Sequence, residues 1–580
     1  MYPSKTAFTA ILCAIISLSS ARVRSETFYV APDGIDTAAG SQAAPWLTIQ
    51  HAADALKPGD TVVVSAGIYR EQITLKQGGW DAAPITFSAA PGARVVVTGA
   101  DRLDGGWTKA PEPNSAVYSH EWPHRFPIAG PNDLTHPGDK EHELTGRAEQ
   151  VIHGGRLLRQ VLARPQVAPG SFYCDLDAKK LYVWLRGSDD PNHTEMEASV
   201  RTNWVTSAPD VSFVHFRGFI FRYAANHAQR GAFNIAQAPR NSITPPRGWV
   251  VEDCTFERAN GPGASLSGEA HLFRRCIFQD NGQLGFGTSR CNDTRMEQCE
   301  LYRNNVKGYS TGWEAGACKV TMSRGFVFDR CRSVDNRGTG IWFDIGNEKS
   351  EVSHCYIADN DEAGIFYEIS YGLHAHDNLI VNNANNGESV GGAWGEGGIT
   401  LSSSEDCVVE NNTLIGNRDG IAFREQSRTT PRIEAPDGAA EVRILNKNHR
   451  IRNNIVAYSQ AFNIAMWMDT NFFGPHPSGG DKNSPIFEDP KTLKIVFTDN
   501  LLWPLPGRSN YLYGAPWRSK SRTFKLPAEF SSASGLSDTS RVADPLFVDV
   551  AGRNYSLKDG SPAVSARAGV RDAKGNVTPN

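Results

Sequence analysis

Apolar residues alternate with polar ones in short runs through the middle of the chain, and Asn and Gly separate the runs. Eight segments share a frame anchored on Cys or Asn, with an apolar residue three positions before the anchor and usually another two positions after it. The intervals between anchors are 22, 23, 32, 24, 23, 34 and 42 residues, so the base period is about 23 residues. The anchors are Cys254, Cys276, Cys299, Cys331, Cys355, Asn378, Asn412 and Asn454.

This pattern predicts a coil of short parallel strands. Short alternating runs between turn residues are typical of strands, and no 3.6-residue period runs through the region. A propeller blade needs roughly 40–45 residues, and a leucine-rich repeat needs its own Leu/Asn consensus. We therefore predict an all-β fold, a right-handed parallel β-helix of the pectate-lyase-like kind. In such a fold, equivalent positions of successive rungs form columns with a spacing of about 4.8 Å.

The anchor column is predicted to be structural. Five stacked Cys side chains are expected to be buried and mostly unpaired, and the Asn anchors that continue the column are expected to hydrogen-bond along it. No C-x-x-C motif or nearby Cys/His tetrad accompanies them, which speaks against a metal or redox site.

The regions outside the repeat predict the domain organisation. Residues 26–103 combine strands with a short helix near 48–56 and are expected to form an N-terminal cap and the first rungs. Residues 104–200 break the frame with alternating segments between Pro- and Gly-rich turns, which indicates an inserted β-sandwich. Residues 201–580 are expected to form the main β-helix and its C-terminal end.

The N-terminal segment predicts export. Lys5 precedes an apolar stretch from Ala7 to Leu18, and small residues follow at Ser19-Ser20-Ala21. This order is typical of a secretory signal, and the apolar stretch is too short to span a bilayer. We predict a signal peptide over residues 1–21 and a secreted or periplasmic protein with no membrane span in the mature chain.

The amino-acid composition indicates a folded protein and argues against nucleic acid as its partner. Hydrophobic residues make up 40% of the 580 residues and charged residues 21%, which is typical of a folded chain with a large core. The 59 basic and 63 acidic residues give a net charge of −4, without the basic excess of a nucleic-acid-binding protein. The oligomeric state stays open at this stage.

Two acidic residues stand out on the predicted outer face of one sheet. Asp344 and Glu368 each lie 13 residues after their anchors, Cys331 and Cys355, so they occupy one column on successive rungs. Adjacent like charges destabilise a sheet, so this pair predicts function rather than a solvated surface. Repulsion between the two carboxylates would raise the pKa of one of them.

Aromatic and charged residues surround this pair in the predicted arrangement. They lie on the same face, on the loop before it, or on an insertion that overhangs it, and we take them as candidate substrate contacts. They are Trp313, Glu314, Lys319, Trp342, Phe366, Trp394, Glu396, Arg424 and Trp467.

The spacing of the two carboxylates is suited to glycoside hydrolysis. A retaining glycosidase uses two carboxyl groups roughly 5–5.5 Å apart, and an inverting enzyme needs roughly 6.5–9.5 Å. Neighbouring rungs supply the shorter separation. We therefore predict a hydrolase that acts on a carbohydrate by double displacement and needs no cofactor, although a structural calcium ion is compatible with the fold.

Three motifs resemble a known family. Gly-Trp-Glu-Ala-Gly at 312–316, Gly-Ile-Trp-Phe-Asp at 340–344 and Gly-Ile-Phe-Tyr-Glu-Ile-Ser at 364–370 resemble the β-helix glycoside hydrolases related to the family 120 β-xylosidases. The resemblance covers roughly residues 26–580. It implies that Asp344 is the nucleophile, that Glu368 is the acid/base, and that β-xylosides are the first substrates to try.

Two other functions stay open at this stage. A polysaccharide lyase of the same fold would use Lys319 or Arg424 as its base, with calcium bound by the acidic pair. A non-catalytic glycan-binding protein would need the aromatic groove but not the two carboxylates. The sugar, its anomer and endo versus exo action are also undetermined.

Overall fold

The computed structural model describes most of the chain. The described residues are 25–111, 116–126, 135–240, 242–386, 396–425, 428–430, 432–433, 442–467, 493–507, 512–515, 522–566 and 569. The expected signal peptide, residues 1–21, lies outside them.

Three long sheets of parallel strands wrap around one core, and each rung of the coil contributes one strand to each sheet in turn. Sheet 1, which comes first in each rung, has 14 strands: Thr27–Val30, Thr61–Val64, Ile85–Ala89, Val214–Arg217, Val250–Glu252, Leu272–Arg274, Arg295–Glu297, Val327–Asp329, Glu351–Ser353, His374–His376, Val408–Glu410, Arg450–Arg452, Val496–Thr498 and Ser537–Asp538.

Sheet 2 follows the Cys or Asn anchor of each rung. Its 13 strands are Gly67–Tyr69, Val95–Thr98, Phe219–Ala224, Thr255–Ala259, Ile277–Gln279, Glu300–Tyr302, Arg332–Val334, Tyr356–Ala358, Leu379–Val381, Thr413–Ile415, Ile455–Ser459, Leu501–Pro504 and Arg541–Val542.

Sheet 3 closes each rung and carries the candidate acidic pair. Its 13 strands are Ile73–Leu75, Val205–Ser207, Phe233–Asn234, Ala264–Glu269, Leu284–Asn292, Gly316–Thr321, Ile341–Asp344, Ile365–Glu368, Gly397–Ser402, Asp419–Arg424, Ile464–Trp467, Tyr513–Ala515 and Arg522–Phe524. The last two strands pair antiparallel.

The repeated frame places like residues directly above one another inside the coil. Phe273, Met296 and Phe328 are register partners and fully buried. Phe256 and Phe278 stack with ring centroids 4.7 Å apart. Because every rung repeats the same inward positions, the core is a continuous apolar column and not a set of separate cores.

Two ladders of side chains run along the turns. The five Cys anchors are buried and free, and Asn378 continues their column by donating from Nδ2 to Asn412 Oδ1 at 2.9 Å. A second ladder at the next turn was not anticipated from the sequence. Its members are linked by Nδ2–Oδ1 hydrogen bonds of 2.8–3.0 Å: Asn281, Asn304, Asn336, Asn360, Asn383 and Asn417.

The residue before each anchor adopts a left-handed conformation. Arg275, Gln298 and Arg330 have φ values of 53°, although none is glycine. This region is unfavourable for residues with a Cβ, and it persists where the surrounding structure compensates for the strain. The stacked ladders provide that compensation, so a single residue turns the chain from sheet 1 into sheet 2.

Residues between the early rungs form an inserted unit of two sheets, which are antiparallel except where Arg159–Gln160 pairs parallel with Ser171–Asp175. Both sheets contribute to one core, in which Trp122, Phe172, Leu181 and Met196 are buried. The sequence predicts that the insertion begins at residue 104, but its first strand is Ala100–Arg102. One sheet comprises Arg156–Leu157, Val151–His153, Met196–Ser199 and Ala100–Arg102, and the other Arg159–Gln160, Ser171–Asp175, Lys180–Trp184, Val117–Glu121 and Thr108–Lys109.

Helices cover both ends of the coil. Ile49–Ala55 lies at the N-terminal end, and its N-cap Thr48 accepts a hydrogen bond from the backbone N–H of His51. Pro527–Ser534 lies at the other end, where Phe530 stacks on Tyr513 with centroids 4.6 Å apart. The remaining elements are a helix at Pro562–Ala566, 3-10 turns at Arg164–Gln166 and Pro191–His193, and strand pairs Thr429–Thr430 with Val442–Arg443 and Phe547–Asp549 with Asn554–Leu557.

Among the described residues, no helix is both long enough and apolar enough to cross a membrane.

Candidate active site

Asp344 and Glu368 are direct register partners on neighbouring strands of sheet 3. Thr321 precedes them in the same column and Ser402 follows. Inward residues Phe343 and Tyr367 are fully buried in the core, so the acidic side chains point to the opposite face of the strands. Each acidic residue is only 6% exposed, so both carboxylates are largely shielded from water.

Lys319 neutralises the first of these carboxylates. Its Nζ lies 2.8 Å from Asp344 Oδ2 and 3.1 Å from Glu314 Oε1, and it sits 4.1 Å from the ring centroid of Trp342. Burial alone would lower the pKa of Lys319, but Asp344 and Glu314 outweigh it and raise that pKa. Lys319 is therefore held as a cation beside Asp344.

Glu368 is in a different electrostatic environment. Burial, followed by the charge of Asp344, raises the pKa of its carboxyl, and Arg424, Lys319 and Arg428 oppose that rise only in part. Arg428 NH1 lies 3.8 Å from Glu368 Oε1. The two adjacent carboxyls thus differ in their surroundings, because Lys319 contacts Asp344 directly, whereas burial and the charge of Asp344 raise the pKa of Glu368.

Trp342 and Phe366 lie beside the acidic pair, two residues before Asp344 and Glu368 on the same strands. Their rings stack with centroids 5.6 Å apart, and Trp342 Nε1 donates to Glu368 Oε2 at 3.3 Å. The guanidinium of Arg424 lies 5.1 Å from the Phe366 centroid, as Lys319 lies over Trp342. Both rings are nearly buried and a cation covers a face of each, so sugar stacking on them stays a prediction.

One oxygen of the pair is left without a hydrogen bond. Asp344 Oδ1 is buried and has no partner in the part of the chain that the structure describes. A buried polar atom in this state is costly unless a ligand satisfies it. Lys319 holds the other oxygen, Oδ2, so the two oxygens of Asp344 differ in their contacts.

Two other predicted substrate contacts, Glu396 and Trp467, have polar partners within the protein. Glu396 lies 3.7 Å from Arg424 through an Oε1–NH1 ion pair and is nearly buried. Trp467 donates from Nε1 to Asp419 Oδ2 at 2.8 Å, so its polar atom is used within the sheet. Trp394 lies outside the described residues.

Trp313 belongs to the junction with the inserted unit. Its ring lies 4.5 Å from that of His136, centroid to centroid, and a Cβ on Gly138 would come within 2.6 Å of the indole. The neighbouring Ser310 N–H donates to Asp139 Oδ2 at 2.9 Å. The loop before Lys319 is therefore fixed by the segment around residues 135–147.

Sequence reasoning missed Arg428 beside Glu368 and a buried acidic residue, Asp419, on a strand further toward the C-terminus. Arg428 lies in an irregular stretch outside the repeat, where no column position predicts its direction. Asp419 is fully buried, and burial raises its pKa to about 6, although its bond with Trp467 lowers it. Asp419 directly precedes the Gly-Ile-Ala-Phe-Arg segment, so strand alternation on that rung is the signal that would have found it.

The residues present do not suit calcium at the pair. Calcium takes roughly 6–8 oxygen ligands. At the pair, the ammonium of Lys319 already contacts Asp344, and the indole N–H of Trp342 donates to Glu368. Within the described ranges, no group of three or more His, Cys, Asp or Glu side chains is placed to hold a metal ion.

Comparisons with known proteins bear on the fold. A family model described as "Right handed beta helix region" matches residues 242–395. The chain also resembles the solved complex of XylC with xylose, with a TM-score of 0.64 and 18% identity over 84% of this chain and 86% of the other. The chain is a right-handed parallel β-helix. The predicted fold class is confirmed.

A shorter likeness links the chain to a curated protein. Uncharacterized protein YwoF of Bacillus subtilis (strain 168) is 37% identical over 71 residues, which is 12% of this chain. The match spans only 15% of the length of YwoF.

Proposed function

We propose that this protein is an exported carbohydrate-active enzyme, a glycoside hydrolase that cleaves O-glycosidic bonds with retention of configuration. Asp344 is the nucleophile and Glu368 is the acid/base. The single observation that carries the proposal is the in-register pair itself, two buried carboxyls on adjacent strands, of which Asp344 contacts Lys319 and Glu368 has a raised pKa. Directly paired strands favour the roughly 5–5.5 Å separation of a retaining enzyme.

In the first step, Asp344 Oδ1 attacks the anomeric carbon while Glu368 donates its proton to the leaving glycosidic oxygen. The C–O bond to the leaving group breaks as the ester bond to Asp344 forms. In the second step, Glu368, now ionised, takes a proton from water, which attacks the same carbon and releases Asp344.

The surrounding residues support these roles. Lys319 holds Asp344 Oδ2 in an ion pair, so Oδ1 is the oxygen assigned to the attack. The raised pKa of Glu368 keeps its proton available at the start of the cycle, as a general acid requires. When Asp344 becomes an ester, its negative charge disappears and the pKa of Glu368 falls, which suits its second role as a base.

A β-xyloside is the first substrate to test. The motifs at residues 312–316, 340–344 and 364–370 resemble the family 120 β-xylosidases, and the fold likeness to XylC, solved with xylose, agrees with that choice. The lyase alternative has less support. A lyase base must lose its proton, whereas Asp344 and Glu314 raise the pKa of Lys319.

The decisive experiment is a panel of aryl α- and β-glycosides, followed by proton NMR of the first-formed product from the best substrate. Retention of configuration is the expected result. Inversion would overturn the adjacent-strand nucleophile model, even if both acidic residues proved essential. An unsaturated product that absorbs in the ultraviolet, formed from a uronate polymer, would establish the lyase instead.

A further inference from the structure

A polar groove lies on the outer face of sheet 3, on the N-terminal side of the acidic pair. Its cavity volume is about 520 Å³, which lies within the range typical of small-molecule sites. Four consecutive strands line it, from Phe233–Asn234 to Gly316–Thr321. Three inter-strand spacings correspond to about 14 Å along the coil axis, so the groove is longer than one sugar ring.

The groove runs directly into the catalytic column. Ser289, Thr321, Asp344 and Glu368 are successive register partners, and the first two line the groove. A parallel column begins with Asn234, Ser265, Gly287 and Lys319, all of which also line the groove. Sugar units bound there would therefore be collinear with the reacting bond.

The lining favours polyols. Amide and hydroxyl side chains dominate it, and its one acidic residue, Glu314, is paired with Lys319 at 3.1 Å. Arg230 lies at the exposed rim. Amides and hydroxyls both donate and accept hydrogen bonds, as the recognition of neutral sugar hydroxyls requires.

The order of the two carboxyls along the coil indicates which part of the substrate the groove would bind. In a displacement by Asp344, the leaving group departs on the side opposite the nucleophile, where Glu368 protonates it. Glu368 lies one strand further toward the C-terminus than Asp344, and the groove lies on the other side of Asp344. The groove therefore lies away from the group that protonates the leaving oxygen, on the side of the pair where further glycone units can extend.

We infer that this groove binds the non-reducing-end sugar units beyond the one attacked, so that the enzyme acts on a neutral oligosaccharide glycone of two or more units. This inference rests on the proposed hydrolase activity and on the roles assigned to Asp344 and Glu368. It makes removal of single terminal sugars a secondary activity of the enzyme.

Gly287 offers a way to block the groove. A Cβ built there meets only Leu284 Cδ1, at 3.7 Å, which is ordinary contact, and the backbone at Gly287 is outside the left-handed region. Gly287→Phe would therefore place a ring in the groove without a backbone clash. Leu272→Phe is a matched control, because Leu272 is half-buried on the outer side of sheet 1.

The test uses the full-length enzyme and aryl glycosides with one, two and three sugar units, built on the sugar that the panel identifies. The wild-type kcat/KM is expected to rise at least tenfold from one unit to three. Gly287→Phe should abolish that preference, and Leu272→Phe should keep it with an unchanged Tm.

The outcomes separate the two proposals. If no glycoside of any length is hydrolysed, the proposed function fails and this inference fails with it. If glycosides are hydrolysed but the wild type shows no gain with length, only the inference is overturned. A gain with length that survives in a folded Gly287→Phe variant also overturns it, because the added units then bind elsewhere.

Discussion

Lys319 and Asp344 form a buried ion pair on adjacent strands of sheet 3, with Nζ 2.8 Å from Oδ2. Both side chains are less than a tenth exposed. This contact fixes one oxygen of the proposed nucleophile and leaves the other without a partner among the described residues. The charge of Lys319 also opposes the rise in the pKa of Glu368, so Lys319 acts on both members of the acidic pair.

Asp344→Asn should abolish turnover, because an amide cannot form the glycosyl ester. The expected loss in kcat is roughly 10⁴-fold or more, the size typical of removing a member of a catalytic unit. Asp329→Asn, a buried carboxylate of sheet 1, is the control and should retain activity. Steady-state kinetics on the best aryl glycoside provide the measurement. Comparable losses in both variants would contradict the assigned role.

Glu368→Gln should slow substrates with poor leaving groups by roughly 10²–10⁴-fold, the range of general acid catalysis. Activated aryl glycosides should be affected least in their first step, because they need no proton. Azide should then restore turnover by replacing water in the second step, and a glycosyl azide of retained configuration is the expected product. A loss independent of the leaving group would rule out Glu368 as the acid.

The raised pKa of Glu368 also predicts a stability effect. Above its ordinary pKa the unfolded chain releases this proton more readily than the folded protein, so stability falls as pH rises through the folded pKa. Glu368→Gln should therefore raise Tm at pH 7, and the gain should vanish at a pH below the ordinary value of 4.5. Glu410→Gln is a control with the opposite sign. Arg452 and His374 lower the pKa of Glu410, so this substitution should lower Tm at pH 7.

Lys319→Met should shift the pH–rate profile. Removal of the cation raises the pKa of Glu368 further, so the basic limb of kcat/KM should move to higher pH while the maximum rate falls. Breaking a buried ion pair typically costs about 3–5 kcal/mol, so Tm should also fall. Lys447→Met breaks the 3.2 Å ion pair with Glu405 outside the site and should leave the profile in place.

The cysteine ladder predicts a thiol count. All nine cysteines of the described ranges are free and buried, and burial raises the pKa of Cys254 to about 12. Native protein should therefore react slowly with a thiol reagent, and denatured, unreduced protein should show about nine thiols. A count below two would mean that the ladder is disulfide-bonded.

The repeat was readable from sequence because each rung repeats the same inward positions. Residues such as Phe273 and Met296 recur three positions before their anchors, and the structure stacks them as register partners. The second Asn ladder was missed although its residues also recur, since periodicity alone does not tell which side chains hydrogen-bond. Arg428 could not be predicted, because it lies outside the repeated frame.

The sequence by itself determined that Asp344 and Glu368 share one column. Each lies 13 residues after its anchor, and strand alternation puts both side chains on the outer face of the sheet. Only the tertiary structure decided how the two carboxyls differ. Lys319 reaches Asp344 from the preceding strand, whereas Arg428 reaches Glu368 from a loop, and both contacts depend on side-chain directions across rungs. Burial and the distance between charges set the protonation state, and neither is encoded in the local pattern.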